Sequence, residues 1–468
     1  MPVETVLQMI KEHDIEFVDM QFGDMFGTLH HFTMPASLVD DDMLEEGVPF
    51  DGSSIRAWKS IDQSDMVLKP HLESAYVDPY REHRSLAILG HIIEPRTGQL
   101  YDRCPRSIAQ KAIEYMKSLG IGDAAFFGPE PEFFIFDGVR FASQPNASFY
   151  EIASEEGAWA TGDEGINLGH KIPHKGGYFP VSPADTLADI RNEIALHMAR
   201  MGMHVEVHHH EVATAGQSEI GIKFGDIYTA GDNVHKLKYA VKNTAYQHGK
   251  TATFMPKPLF GDNGSGMHVH TSIWKDGENI FAGDGYSKLS QEALYAIGGI
   301  LKHGRSIQAF TNASANSYRR LVPGYEAPVN LAYSATNRSA SVRIPYSPSA
   351  KGRRIEFRCP DSSGNPHLGF AAMLMAMVDG IKNQISPGDP MDKNIYDLPP
   401  EELAQIPSTC RTLEESLDEL EADKEWLTAG DVFGDEMIDA YINHKREEEV
   451  EPLKLRPNPY EFEIYYSC

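Results

Sequence analysis

The sequence predicts an α+β protein: a small N-terminal module over residues 1–103 followed by a larger α/β unit over residues 104–468. Three observations carry this prediction. The first hundred residues break into short alternating runs separated by Gly and Pro turns (Gly23, Gly27, Pro35, Gly47, Pro49, Pro70, Pro79, Pro95), the pattern of a small strand-containing module. At Arg103-Cys104-Pro105-Arg106 a new helix begins, which marks the boundary. Beyond it strands and helices alternate, and no internal repeat or low-complexity tract interrupts them.

The elements follow from side-chain period. Val3, Val6, Leu7 and Ile10 recur at helical spacing, and Val18, Met20 and Phe22 then alternate as a strand. Phe126, Phe127, Phe133, Phe134, Ile135 and Phe136 mark a long apolar, aromatic strand. Thr186 to Gly202 reads as a helix with Leu187, Ile190, Ile194, Met198 and Met201 on one face. The tail from Thr412 is acidic and helical, with Leu413, Leu417 and Leu420 at helical spacing. Its end, Tyr460, Phe462, Ile464, Tyr465 and Tyr466, is apolar enough to require burial in its own domain or against another subunit.

The chemistry is concentrated on strands. In Gly128-Pro129-Glu130-Pro131-Glu132-Phe133 the two glutamates lie two residues apart and so point to the same face. Two like charges buried together need a cation between them, and a divalent metal ion is the usual one. Met203 to Glu211 delivers Glu211 on the face opposite Glu206, and a turn containing Gly216 leads on to Glu219. His268, His270 and Ser272 share a face, as do Arg354, Glu356 and Arg358, with Ile355 and Phe357 opposite. The run His208 to His210 reads as structural, because adjacent strand residues cannot converge on one ion. Glutamates with histidine are mostly hard oxygen donors, which favours Mg²⁺ or Mn²⁺ over zinc. Arginines beside such ions point to an anionic, phosphorylated substrate.

Charge and composition narrow the class. With 42 Lys+Arg against 68 Asp+Glu the net charge is −26, which repels nucleic acid and anionic membrane. The start, Met1-Pro2-Val3-Glu4, lacks a secretory pattern, and the longest membrane-like stretch, Gly369 to Val378, is about half a bilayer span. Cys104, Cys359, Cys410 and Cys468 show neither close pairing nor zinc spacing, so a cytoplasmic, reducing location is expected. His248-Gly249-Lys250-Thr251 has the end of a Walker A loop, but Thr244 occupies the position of its first glycine, and the match is read as chance.

Longer motifs resemble a known family. Phe127 to Phe133, Thr253-Phe254-Met255-Pro256-Lys257-Pro258, Gly261 to His268, Phe50-Asp51-Gly52-Ser53-Ser54, Arg320 to Pro328 and Asn337-Arg338-Ser339-Ala340-Ser341 together look like bacterial type I glutamine synthetase. The resemblance covers essentially the whole chain. It implies a β-grasp-like N-terminal domain, a catalytic domain whose curved antiparallel sheet forms an active-site funnel, and a C-terminal helical tail. It implies ATP-dependent ligation of ammonia to glutamate through γ-glutamyl phosphate, with two or more Mg²⁺ or Mn²⁺ ions per subunit and ATP as co-substrate.

The resemblance also implies residue roles. Glu132, Glu211 and Glu219 would hold one metal, and Glu130, His268 and Glu356 the second. Asn263, Gly264 and Arg320 would grip the amino-acid head of glutamate, and Arg358 would neutralise its reacting carboxylate or the phosphoryl group. Glu206, Phe224, His270 and Ser272 look like nucleotide contacts, with Arg338, Arg343, Lys351 and Arg354 on the phosphates. Asp51 would deprotonate ammonium, helped by Ser54, Tyr178, Glu211 and Glu326, with Glu326 also the flap that excludes water. In the family Asp51 comes from the adjacent subunit of a dodecamer built of two stacked hexameric rings, and the C-terminal end docks between the rings. Lys393 to Pro400 looks like an adenylylation loop with Tyr396 as target of an adenylyltransferase; the flanking Ser386 to Pro390 and Pro399 to Glu402 are turn-forming. Two other readings are weighed: a ligase for a larger amine, opposed by Asp51 and Glu326, and a non-catalytic relative, opposed by the full ligand set.

Overall fold

The computed structural model describes residues 1–59, 64–162, 167–393, 398–403 and 405–468; Tyr396, the expected modification site, lies outside them. Among the described residues the strands form two main sheets and one separate hairpin. The N-terminal sheet contains β1 (Phe17–Gly23), β2 (Leu29–Pro35), β3 (Val48–Asp51), β4 (Asp65–Pro70), β5 (Tyr76–Val77) and β6 (Ser85–Ile93). Its order is β2-β1-β6-β4-β3, with β5 also on β6, and the central β1–β6 pair is parallel. The alternation seen in the sequence places Val18, Met20 and Phe22 in the core, while the helix Val3–Glu12 lies over it through Val6.

The large sheet is built around β7 (Ala124–Phe136). The strands β8 (Gly138–Gln144) and β9 (Ala147–Ala153) pair with each other as a separate hairpin. Next come β10 (Val205–His210), β11 (Gln217–Ile222), β12 (Gly225–Asp226), β13 (Thr251–Thr253), β14 (Met267–Lys275) and β15 (Glu278–Asn279). Last are β16 (Asn330–Ser334), β17 (Ala340–Arg343) and β18 (Ile355–Phe357). The path runs β10-β11-β7-β14-β18-β17-β16, antiparallel except for β16–β17. One face of this sheet is apolar: Phe127, Val269, Ile355 and Phe357 are fully buried and belong to the main core. The other face carries the charged side chains of the cavity described below.

Helices cover the apolar face. Pro366–Lys382, which contains the Gly369 to Val378 stretch, is buried on nearly all sides. It is an interior helix, and no helix among the described residues is long and apolar enough to cross a membrane. Ala188–Arg200 buries Ile190, Ile194 and Met198 as its spacing predicts, and Thr412 caps the helix Leu413–Ala422 by accepting from Glu415 N. The apolar C-terminal end forms the helix Pro459–Tyr465 with Tyr460, Phe462 and Tyr466 exposed. The His248 to Thr251 segment joins the C-terminus of Ile227–Gln247 to β13, whereas a phosphate loop must lead from a strand into a helix N-terminus.

Candidate active site

Strand register assembles the site. In the β7–β11 pairing Glu132 faces Glu219, and in β10–β11 Glu219 faces His209, so three strands set one row of ligands side by side. In β7–β14 Glu130 faces His268, and His270 faces Glu356 across β14–β18. These rows form the floor of a cavity of about 450 Å³ that is also lined by Tyr178, Asn263, Gly264, Arg320, Glu326, Arg338, Arg343, Arg354 and Arg358.

Two glycines make the arrangement possible. Gly216, at φ +73°, turns the chain from Glu211 toward β11, and a Cβ there would lie 2.2 Å from the Ile135 carbonyl oxygen. At Gly266 a Cβ would lie 2.4 Å from the Arg320 guanidinium, so a side chain there would displace that arginine.

Among the described residues, two donor sets close tightly enough for a metal ion: Glu130, His268 and Glu356, and separately His209, Glu211 and Glu219, each with ligand atoms within 4.8 Å of one another. In the first, His268 Nδ1 lies 3.7 Å from both Glu130 and Glu356. His270 Nδ1 accepts from Arg354 Nε at 3.2 Å, which leaves its Nε2–H to donate to Glu130 at 3.0 Å. Arg343 and Arg358 each donate to Glu356 at 2.8 Å. Burial pushes the Glu130 and Glu356 carboxyls up, but the neighbouring histidines outweigh it, with Arg358 adding to the effect at Glu356, which falls to about 2.

The second set is short of positive charge. Burial, with Glu132 and Glu219 beside it, pushes the Glu211 carboxyl up to about 9. Burial likewise raises Glu219, despite the hydrogen bond from His209. A divalent ion bound here would supply the missing charge, and oxygen-rich donors with one histidine fit a hard cation. Glu132 stands beside this set, not inside it: its Oε2 accepts from Gln217 Nε2 at 3.1 Å and Gly266 N at 3.0 Å.

The His208 to His210 run divides by direction. His208 turns to Asn192 and His210 is buried against Glu156, as structural residues would be, while His209 lies within ligand distance of Glu211 and Glu219 in a candidate donor set. Adjacent residues indeed do not converge. The overlooked signal is parity, because His209 and Glu211 are two apart, like Glu130 and Glu132. Gln217, which positions Glu132, had no distinguishing signal.

Other expected residues divide by location. Asn263 donates to Glu326 at 3.2 Å, while its Oδ1 is buried without a partner among the described residues, as is Arg358 Nε. An acceptor and a donor are thus left for a bound zwitterion or anion. Arg320 is buried and spends its guanidinium on the carbonyls of Arg358, Cys359 and Pro360, so it also shapes the wall. Glu206, Phe224, Ser272 and Lys351 are not among the cavity-lining residues. Ser272 accepts from Trp274 Nε1, and Phe224 packs edge-on against Phe126. Asp51 and Ser54 are exposed on the N-terminal module and do not line the cavity of their own chain.

Comparison with known proteins decides the family. Residues 102–465 match the model of the glutamine synthetase catalytic domain, and residues 14–95 match that of the glutamine synthetase beta-Grasp domain. The chain belongs to the glutamine synthetase family. It is 58% identical over 463 residues to glutamine synthetase of Azotobacter vinelandii, covering 98% of this chain and 99% of that one. It is 55% identical over 469 residues to glutamine synthetase of Escherichia coli strain K12, covering all of both. A cryoEM structure of Plasmodium falciparum glutamine synthetase superposes with a TM-score of 0.90 at 33% identity, covering 100% of this chain and 99% of that one. The activity is ATP-dependent ligation of ammonia to glutamate, giving glutamine, and it uses a divalent metal.

Proposed function

We propose that this chain is a cytoplasmic, type I enzyme whose cavity runs both half-reactions on Mg²⁺ or Mn²⁺, in a dodecamer with sites shared between subunits. The observation that carries this reading is the pair of donor sets on one sheet face, walled by Arg338, Arg343, Arg354 and Arg358. Glu130, His268 and Glu356 would hold one ion, on the side of the cavity walled by Arg343 and Arg354. His209, Glu211 and Glu219, with Glu132 beside them, would hold a second. Bound ions neutralise phosphate charge and orient the reacting oxygens.

The side chains do the rest. Asn263 and Gly264 receive the amino-acid head, with Arg320 fixing the wall behind it. Arg338 and Arg358 balance the charge of the γ-carboxylate and of the transferring phosphoryl group as γ-glutamyl phosphate forms. Glu326 covers the acyl phosphate, and an Asp51 from the neighbouring subunit removes a proton from ammonium before nitrogen displaces phosphate. The exposure of Asp51 away from its own cavity supports a shared site. Tyr396 serves as a site of adenylylation.

Mn²⁺ titration into metal-stripped protein tests the reading. Wild type is expected to bind at two sites per chain at least, and Glu356→Ala at one fewer; equal stoichiometry in the two proteins overturns the assignment.

A further inference from the structure

The loop that carries Glu326 is gripped from outside the cavity. Lys175 Nζ lies 4.1 Å and Lys257 Nζ 3.8 Å from the centroid of the Tyr325 ring, both well inside cation–π range. Lys175 Nζ also donates to the Gly324 carbonyl at 2.8 Å. Asn263 holds the Glu326 carboxylate at 3.2 Å. Three consecutive residues are therefore held by three different side chains.

Both lysines are anchored on one fixed point. The Asp262 carboxylate is fully buried and accepts from the backbone N–H groups of Lys175, Thr214 and Asn263. Lys257 Nζ donates to the Asp262 carbonyl, and Asn316 ties down the Lys257 backbone from both sides. Glu326 sits at φ +60° and Lys175 at φ +58°, a left-handed conformation that non-glycine residues hold only when their surroundings enforce it.

We propose that Lys175 and Lys257 clasp the Tyr325 ring as a latch that keeps Glu326 over the cavity, and that this latch sets how well the acyl phosphate is protected from water. The proposal rests on the reading of Glu326 as the cover of the reaction. The leak it prevents is defined: water attacks the γ-carbonyl carbon of γ-glutamyl phosphate, the bond from that carbon to the phosphate oxygen breaks, and glutamate and phosphate are released without glutamine. Tyr325, Lys175 and Lys257 are positioning residues, acting through Glu326.

The experiment measures phosphate released per glutamine formed at limiting ammonium, with KM and kcat for ammonium, on the assembled enzyme. Tyr325→Leu is expected to raise the ratio roughly tenfold, and the Lys175→Gln/Lys257→Gln pair by a similar factor. Tyr325→Phe and Lys257→Arg, which keep the ring or the charge, should stay within about twofold of wild type. In the Tyr325→Leu background the lysine substitutions should add little, since their partner is gone. Lys175 is exposed, so Lys175→Gln alone gives a partial leak without endangering the fold. Coupling as tight as wild type in Tyr325→Leu, or equal leakage in Tyr325→Phe and Tyr325→Leu, overturns the latch. Glu326→Gln separates the two layers: if it leaks while every latch variant stays tight, only the latch fails, and if it stays tight, the cover reading itself fails.

Discussion

Glu132 and Glu219 stand directly opposite each other in the β7–β11 register, two carboxylates at a cross-strand position where like charges repel. The sheet places His209 next in the same row and brings Glu211 up from the strand end, so the repulsion is concentrated where a cation can relieve it. The same logic recurs on β7, β14 and β18 with Glu130, His268 and Glu356.

Removing one ligand should therefore stop turnover without dismantling the sheet. Glu356→Ala is expected to lower kcat by at least about 10²- to 10³-fold, while the oligomeric state by light scattering is unchanged. Near-wild-type activity at saturating Mg²⁺ would mean that the Glu130 set does not hold a catalytic ion.

A site shared between chains predicts complementation. Asp51→Ala alone should impair glutamine formation by about 10²-fold or more with ATP binding retained. Mixed with Glu356→Ala subunits, it should recover activity in hybrid oligomers, because some interfaces then pair an intact Asp51 with an intact metal set. Verified mixing without recovery contradicts the shared site.

Much of this was legible in the sequence because strand parity is rigid. Glu130 and Glu132, His268 and His270, and Arg354, Glu356 and Arg358 all share faces as their spacing requires, and Ile355 and Phe357 are buried opposite them. What was not legible depends on long-range pairing. Nothing local in His209 says that Glu219 will lie across from it, and nothing in Tyr325 announces two lysines from positions 175 and 257. Phe224 and Ser272 were expected from the family resemblance alone, and neither lines the cavity. The elements themselves were easier, since Ile190, Ile194 and Met198 had only to follow one helix.

The latch should carry its own pH signature. Burial lowers the Lys257 ammonium to about 8, with Asp262 raising it and Lys175 and Arg320 lowering it further. The charged form that grips Tyr325 is thus present below that value and lost above it. Phosphate release per glutamine should rise as pH passes through about 8, and Lys257→Arg, which stays charged, should remove that rise. A rise identical in both proteins would assign it to another group.

A second titration should appear in stability. His303 is buried between Asp423, 2.7 Å from its Nδ1, and Asp379, 2.9 Å from its Nε2, and stacks on Trp426 at 4.5 Å. Burial opposes its charge, but the two carboxylates outweigh it and raise the folded pKa. Because the folded value exceeds the unfolded value of about 6.5, this contribution is complete below pH ~6.5 and is lost as pH climbs through the raised value. The wild-type Tm should therefore fall more steeply than that of His303→Gln from pH ~6.5 upward, with the variant about 2 kcal/mol less stable at low pH. Parallel Tm profiles would show that His303 is not the titrating group.

If one cavity couples ATP to amide formation through its two donor sets, phosphate release must depend on all three substrates together. The most direct measurement is phosphate release followed with glutamine formation while glutamate, ammonium and ATP are omitted in turn, in the presence of Mg²⁺. One phosphate per glutamine is expected with all three present, and little of either product when any one is left out. Sustained phosphate release without glutamate, or release that ammonium neither stimulates nor converts to glutamine, would contradict that coupling.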